Sequence, residues 1–177
     1  MVRGELYFSM DPELVEARLR CTQLLERYNR TSRTESGARR AILEALLGGI
    51  GKDVDVVGPF YCDYGTQITL EDGVYMNFNA TLLDVAPIVV KRGAMFGPGV
   101  QLLTATHTLD VETRRKGLEF GKPITIGEEV WLGGGVIVCP GVSIGDRTIV
   151  GAGSVVTKDL PAEVVAVGNP ARVIRKL

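Results

Sequence analysis

The sequence predicts a mainly β protein wound as a parallel β-helix behind a short helical cap. Three observations carry that prediction: an aliphatic residue at every sixth position, a small or medium residue four places after each, and a glycine-rich slot directly after each. From Ile126 the aliphatic positions continue through Leu132, Val138, Ile144, Val150 and Val156. The second set is Val130, Val136, Val142, Thr148, Ser154 and Leu160, and the third is Gly127, Gly133, Cys139, Gly145, Gly151 and Thr157. Neither helix nor strand has a period of six. A solenoid does, when each short strand turns a corner and stacks on the strand one coil earlier. The aliphatic fills the interior, the small residue lets the chain bend, and glycine tolerates the corner dihedrals.

Upstream the repeat is less regular. Leu70, Met76 and Leu82 keep the step, with Val74, Ala80 and Ala86 in the small slot. The register slips by two residues around Pro87–Val89, then resumes at Val90, Phe96 and Leu102, with Ala94, Val100 and Thr106 in step. Residues 103–124 break the pattern and read as a loop extruded from the wall; it carries the only histidine, His107. Residues 1–50 read as a helical cap. Asp11–Pro12 is a helix-start signal, after which Leu14, Ala17, Cys21, Leu24, Leu25 and Tyr28 mark one face at helical spacing. A second helix is expected from near Thr34, with Ala38, Ala41, Ile42, Ala45 and Leu46 inward and a stop at Gly48–Gly49. The expected organisation is thus a cap over 1–50, a β-helix over 51–163 and a tail over 164–177 that leaves the repeat through Pro161 and Pro170.

Composition narrows the function classes. Twenty basic against 21 acidic residues create no global field favouring nucleic acid or an anionic membrane. Twenty-two glycines with 6% aromatics fit coils and corners. Cys21, Cys62 and Cys139 have no framework spacing and read as reduced thiols of a cytoplasmic protein. No apolar run approaches a membrane span. A single histidine cannot build a three-histidine metal site from one chain, so no metal is expected.

The chemistry-bearing residues are few. His107, in Thr104-Ala105-Thr106-His107-Thr108, can act as a base near neutral pH or stand inert on the surface. Asp63, Tyr75 and Asn77 fit either a solvated wall or a site for polyol hydroxyls. Trp131 precedes an inward Leu132 and so points outward, suited to a ligand or subunit contact. Gly151-Ala152-Gly153-Ser154, Thr157-Lys158, Arg172 and Arg175 combine small residues with cations, a setting for a pantetheine tail and its phosphates.

Together these stretches resemble the galactoside and maltose O-acetyltransferases among the hexapeptide-repeat acyltransferases. The resemblance is carried by Gly4-Glu5-Leu6-Tyr7, Asp11-Pro12-Glu13-Leu14 and Leu24-Leu25-Glu26-Arg27-Tyr28-Asn29 in the cap, then Tyr75-x-Asn77-Phe78-Asn79 and His107. Gly117–Ile124, Ile126–Gly133, Gly151–Ser154 and Asn169–Arg172 complete it. It implies a left-handed parallel β-helix that assembles as a homotrimer, with active sites between chains. It further implies an acetyl-CoA-dependent O-acetyltransferase in which His107 takes the proton of a sugar hydroxyl during direct transfer. Asp63, Tyr75, Asn77 and Ser9 then match the acceptor side, and Glu119 stands beside His107 to orient it. Trp131, Gly134, Ala152, Thr157, Lys158, Arg172 and Arg175 match the acetyl-CoA groove. Gly134 stands where relatives often have serine, and some carry serine at position 63. An antibiotic, a serine or a nucleotide-sugar amine as acceptor, and a noncatalytic β-helical scaffold, are the alternatives.

Overall fold

The structure, a computed structural model, describes residues 1–177 and is a solenoid of three parallel faces. The first face stacks Gly49–Ile50, Ile68–Leu70, Ile88–Val90, Ile124–Ile126 and Ser143–Ile144. The second stacks Asp55–Val56, Tyr75–Met76, Met95–Phe96, Trp131–Leu132, Ile149–Val150 and Val164–Val167, closed by the antiparallel strand Arg172–Lys176. The third stacks Phe60–Cys62, Ala80–Leu83, Gln101–Leu103, Ile137–Val138 and Val155–Val156.

The six-residue period has the physical meaning expected of it. Leu132 aligns with Phe96 on one side and Val150 on the other, in a column that begins at Val56 and Met76. All five are buried, as are the corner residues Val130, Val136, Val142, Thr148 and Ser154. Burying one such aliphatic side chain contributes roughly 1.5–3 kcal/mol, and the column repeats that gain coil by coil.

The first coil of the wall carries Ile50, Val56 and Cys62, one coil below Leu70, Met76 and Leu82. Two expectations need correction. Thr106 is not in the wall; the chain leaves at Thr104, which is fully buried, and re-enters at Ile124. Nor does the chain leave the repeat at 164, since Val165 and Ala166 stack in register on Ile149 and Val150. Only Arg172–Lys176 departs, folding back antiparallel over the last parallel strand and covering its edge.

The cap has helices α1 (Pro12–Arg30) and α2 (Ser36–Leu46). Asp11 caps α1 by accepting the Glu13 N–H, and Cys21, Leu25 and Tyr28 are buried as the spacing predicts. In α2 Ile42 and Leu46 point inward as expected, but the three alanines do not. Arg39, Ile42, Leu43 and Leu46 are buried while Ala38, Ala41 and Ala45 are exposed. Rotating the helix this way buries Leu43, with far more apolar area than an alanine. It also brings the Arg39 guanidinium over the Tyr28 ring at 4.1 Å. There Arg39 donates to the carbonyls of Thr31 at 2.9 Å and Val56 at 2.8 Å, locking both helices to the first coil. No helix is long and apolar enough to cross a membrane.

Candidate active site at the edge of the solenoid

Between the third and first faces the chain turns through residues 63–67 and 84–87, then through the long excursion after Leu103. That excursion is an ordered arm rather than a loop. Ala105–His107 pairs antiparallel with Leu118–Gly121, a short helix α3 (Val111–Arg115) joins them, and Tyr7–Phe8 adds a third strand. The register sets Tyr7, Glu119 and His107 side by side in one cross-strand row. Residues in such a row project from the same side of the sheet, so strand pairing alone assembles the group.

The Tyr7 hydroxyl donates to Glu119 Oε1 at 2.5 Å, and Glu119 Oε2 lies 3.8 Å from His107 Nε2. Burial, and then the bond to Glu119, push the Tyr7 hydroxyl well above its ordinary range, so it stays a donor. The 3.8 Å separation is too long for a hydrogen bond and leaves the two side chains as neighbours across the sheet. The His107 side chain is half exposed and free to meet a ligand.

His107 and Glu119 share a cleft of about 430 Å³ with Ser9 and Asp63. Two further polar residues, Arg18 and Tyr64, line it. Arg18 ties the wall together by donating to Tyr64 Oη and to the Ser9 carbonyl, both at 2.7 Å. Asp63 accepts no hydrogen bond through its side chain within the chain; its backbone N–H donates to Asp84. Burial pushes the Asp63 carboxyl up, Arg18 opposes that shift, and Glu119 adds to it. The free hydrogen-bonding capacity here is mostly acceptor, suited to a ligand rich in hydroxyl donors.

Tyr75 and Asn77 do not line this cleft. Tyr75 lies on the second face, in the row of Met95 and Trp131. Asn77 begins the corner between the second and third faces, and its Oδ1 accepts the Phe78 N–H at 2.8 Å. Higher on that edge stand Gly134 and Ala152, stacked so that Gly153 N–H donates to the Gly134 carbonyl at 2.9 Å. A Cβ on Gly133 would sit 2.6 Å from Ala152 N, and one on Gly97 2.5 Å from Gly134 N, so these corners close only with glycine. The result is an edge of bare backbone flanked by Trp131, which is 50% exposed. Thr157 and Lys158 are exposed after Val155–Val156, on the edge that bears the arm. Arg172 and Arg175 are exposed on the antiparallel closing strand.

A family profile described as "Maltose acetyltransferase hexapeptide capping motif" matches residues 1–51, and one described as "Bacterial transferase hexapeptide (six repeats)" matches 123–158. The galactoside O-acetyltransferase of Lactococcus lactis subsp. lactis is 42% identical over 98% of this chain and 84% of its own. The chain belongs to the hexapeptide-repeat sugar O-acetyltransferase family. Among solved structures, a maltose O-acetyltransferase from Clostridium difficile is 43% identical with a TM-score of 0.98, covering 99% of this chain and 94% of that one. A galactoside acetyltransferase in complex with coenzyme A is 38% identical with a TM-score of 0.95, covering 99% and 88%.

Within this family member, one chain therefore gathers Ser9, Asp63, His107 and Glu119 and leaves the remaining candidates outside that cleft. Sequence reasoning missed Arg18, Tyr64 and Tyr7. Arg18 reads as one charge on the solvent side of an amphipathic helix, and nothing local distinguishes it. Tyr7 had a faint signal in its position within the cap motif, but its pairing with Glu119 spans 112 residues.

Proposed function

We propose that the protein transfers the acetyl group of acetyl-CoA directly to a hydroxyl of a sugar or related polyol, with His107 as general base. The observation that carries this is the cleft itself. A half-exposed imidazole is backed by Glu119 and faces an unpaired Asp63 carboxylate in a pocket of monosaccharide size. Asp63 accepts from acceptor hydroxyls and holds the acceptor in the cleft beside His107. As that oxygen bonds to the thioester carbonyl carbon, its proton passes to the imidazole, whose positive charge Glu119 stabilises. The C–S bond then breaks and the proton follows to the departing thiolate. No step requires an acyl-enzyme.

The coenzyme is assigned to the glycine edge, where corners without Cβ atoms admit an extended pantetheine along the backbone. Trp131, Gly134 and Ala152 line its course on that edge, Thr157 and Lys158 meet it from the arm-bearing edge of the neighbouring copy, and Lys158, Arg172 and Arg175 supply cations for its phosphates. Tyr75 and Asn77 lie outside the cleft of their own chain, and they complete the site when a neighbouring copy packs against it. A cytoplasmic homotrimer with three grooves between chains is the assembly this reading requires. The similarity to a galactoside acetyltransferase solved with coenzyme A supports the cosubstrate.

The test is thiol release from acetyl-CoA with glucose, maltose, a galactoside and chloramphenicol, run beside His107→Ala. Sugar-dependent release is expected, reduced by roughly two to four orders of magnitude in the variant. Near-wild-type release from a folded His107→Ala would remove the base assignment. Absence of both thiol release and coenzyme binding would favour a scaffold.

A further inference from the structure

We propose that Asp84 is a positioning residue that holds the acceptor wall of the cleft through the backbone; the proposal rests on the acetyl-transfer reading above. Asp84 has no exposed surface. Its Oδ1 accepts the N–H groups of Asp63 at 3.0 Å and Tyr64 at 2.8 Å, and its Oδ2 accepts that of Gln67 at 3.2 Å. One carboxylate thus gathers three donors from the corner directly below it. That corner bears Asp63 and Tyr64, both of which line the cleft, as do Leu83 and Val85 on either side of Asp84.

The sequence locates the need for this residue. Most successive inward residues are six apart, but Cys62 to Leu70 and Leu82 to Val90 each span eight. The two additional residues widen the corners at 63–67 and 84–87, whose N–H groups turn inward. An inward N–H without a partner costs about 1–3 kcal/mol, and Asp84 satisfies three. The neighbouring corner is held from above by Thr104, which accepts the Ala86 N–H at 3.1 Å and donates to the Leu83 carbonyl at 2.5 Å. The register slip is therefore the floor of the cleft, and Asp84 sets where Asp63 stands.

A hold on the acceptor wall predicts a selective kinetic effect. In Asp84→Asn one oxygen and an NH₂ replace two acceptor oxygens, so the Asp63 corner loosens while His107, Glu119 and the glycine edge stay in place. Binding lost equally in ground and transition states raises KM and leaves kcat. The acceptor KM is expected to rise about ten-fold or more, with kcat and the acetyl-CoA KM within about two-fold. Asp84→Ser, which keeps an acceptor oxygen but no charge, is expected to show the same selective rise. Equal losses in both KM values and kcat, or an unchanged acceptor KM in a folded variant, would overturn the proposal. If neither variant folds, the wild type carries the test. Saturating acceptor should shift the Asp63, Tyr64 and Gln67 amide resonances together, and an absent response to an acceptor that is turned over would overturn it. A wild type without acceptor-dependent thiol release would instead defeat the underlying acetyl-transfer reading.

Discussion

Replacing Arg39 by leucine tests whether the cap is held by a polar bolt or by its apolar face. Arg39 is 8% exposed, lies 4.1 Å from the Tyr28 ring centroid, and makes its two short bonds to the carbonyls of Thr31 and Val56. Leucine removes the charge along with the bonds, so no unpaired cation remains buried. The Val56 carbonyl keeps the Tyr28 hydroxyl as a donor, whereas the Thr31 carbonyl loses its side-chain partner. Two bonds from a charged donor contribute about 1.5–3 kcal/mol each, and the guanidinium over the ring about 1–2 kcal/mol. Desolvating the guanidinium offsets part of this. The expected net loss is about 2–4 kcal/mol, read as a lower urea midpoint at unchanged slope and fixed protein concentration. Arg39→Lys should recover less than half, since an ammonium cannot fork between two carbonyls. A leucine variant within about 0.5 kcal/mol of wild type would refute the reasoning and assign the cap to Leu43 and Leu46 alone.

Glycine at the corners acts in two ways that substitution separates. Gly133→Ala drives a Cβ to 2.6 Å from Ala152 N and should cost about 1–3 kcal/mol or more, whereas Gly135→Ala, at φ +70° with nothing within 4 Å, should cost only about 1–2 kcal/mol. Thermal melts of the two rank them, and the reverse order would contradict the close stacking. Burial pushes the Asp84 carboxyl up to about 6 against an ordinary value near 4. The folded state then holds more protons than the unfolded state between those values. Asp84 therefore lowers stability as pH rises through the window, by about 3 kcal/mol at most. Urea midpoints at pH 4 and pH 7.5 should show a smaller pH dependence in Asp84→Asn than in wild type. Should Asn77 serve the cleft of a neighbouring chain, co-refolding His107→Ala with Asn77→Ala should restore about a quarter of wild-type turnover in random mixed trimers. No recovery in such trimers would place both residues in one chain's site.

Much of the wall was legible because its signal is local and repeated. Each six-residue step reports the same burial event, so an accidental match in one coil is outvoted by the others. The first coil showed no repeat of its own, because Ile50, Val56 and Cys62 are single inward positions on three different faces and a two-residue slip separates them from Leu70. The alanines of α2 and its Arg39 were misjudged for a different reason. Alanine spacing favoured one face, while Arg39 finds its carbonyl partners only once Tyr28, Thr31 and Val56 have been brought together. The arm read as a loop because its strands are three or four residues long and its pairing partner, Tyr7–Phe8, lies a hundred residues away.

The sequence by itself determined the solenoid, its glycine corners, the excursion bearing the one histidine and the family resemblance. These rest on periodic burial and on motifs a few residues long, which survive without knowledge of contacts. Tertiary structure alone decided which of the candidates meet. Parallel stacking brings Asp84 above the Asp63 corner 21 residues earlier, and antiparallel pairing sets Glu119 between Tyr7 and His107. Such neighbours are selected by the closure of coils and strands, and hydrogen-bonding groups far apart in sequence become partners only after that closure has removed them from water.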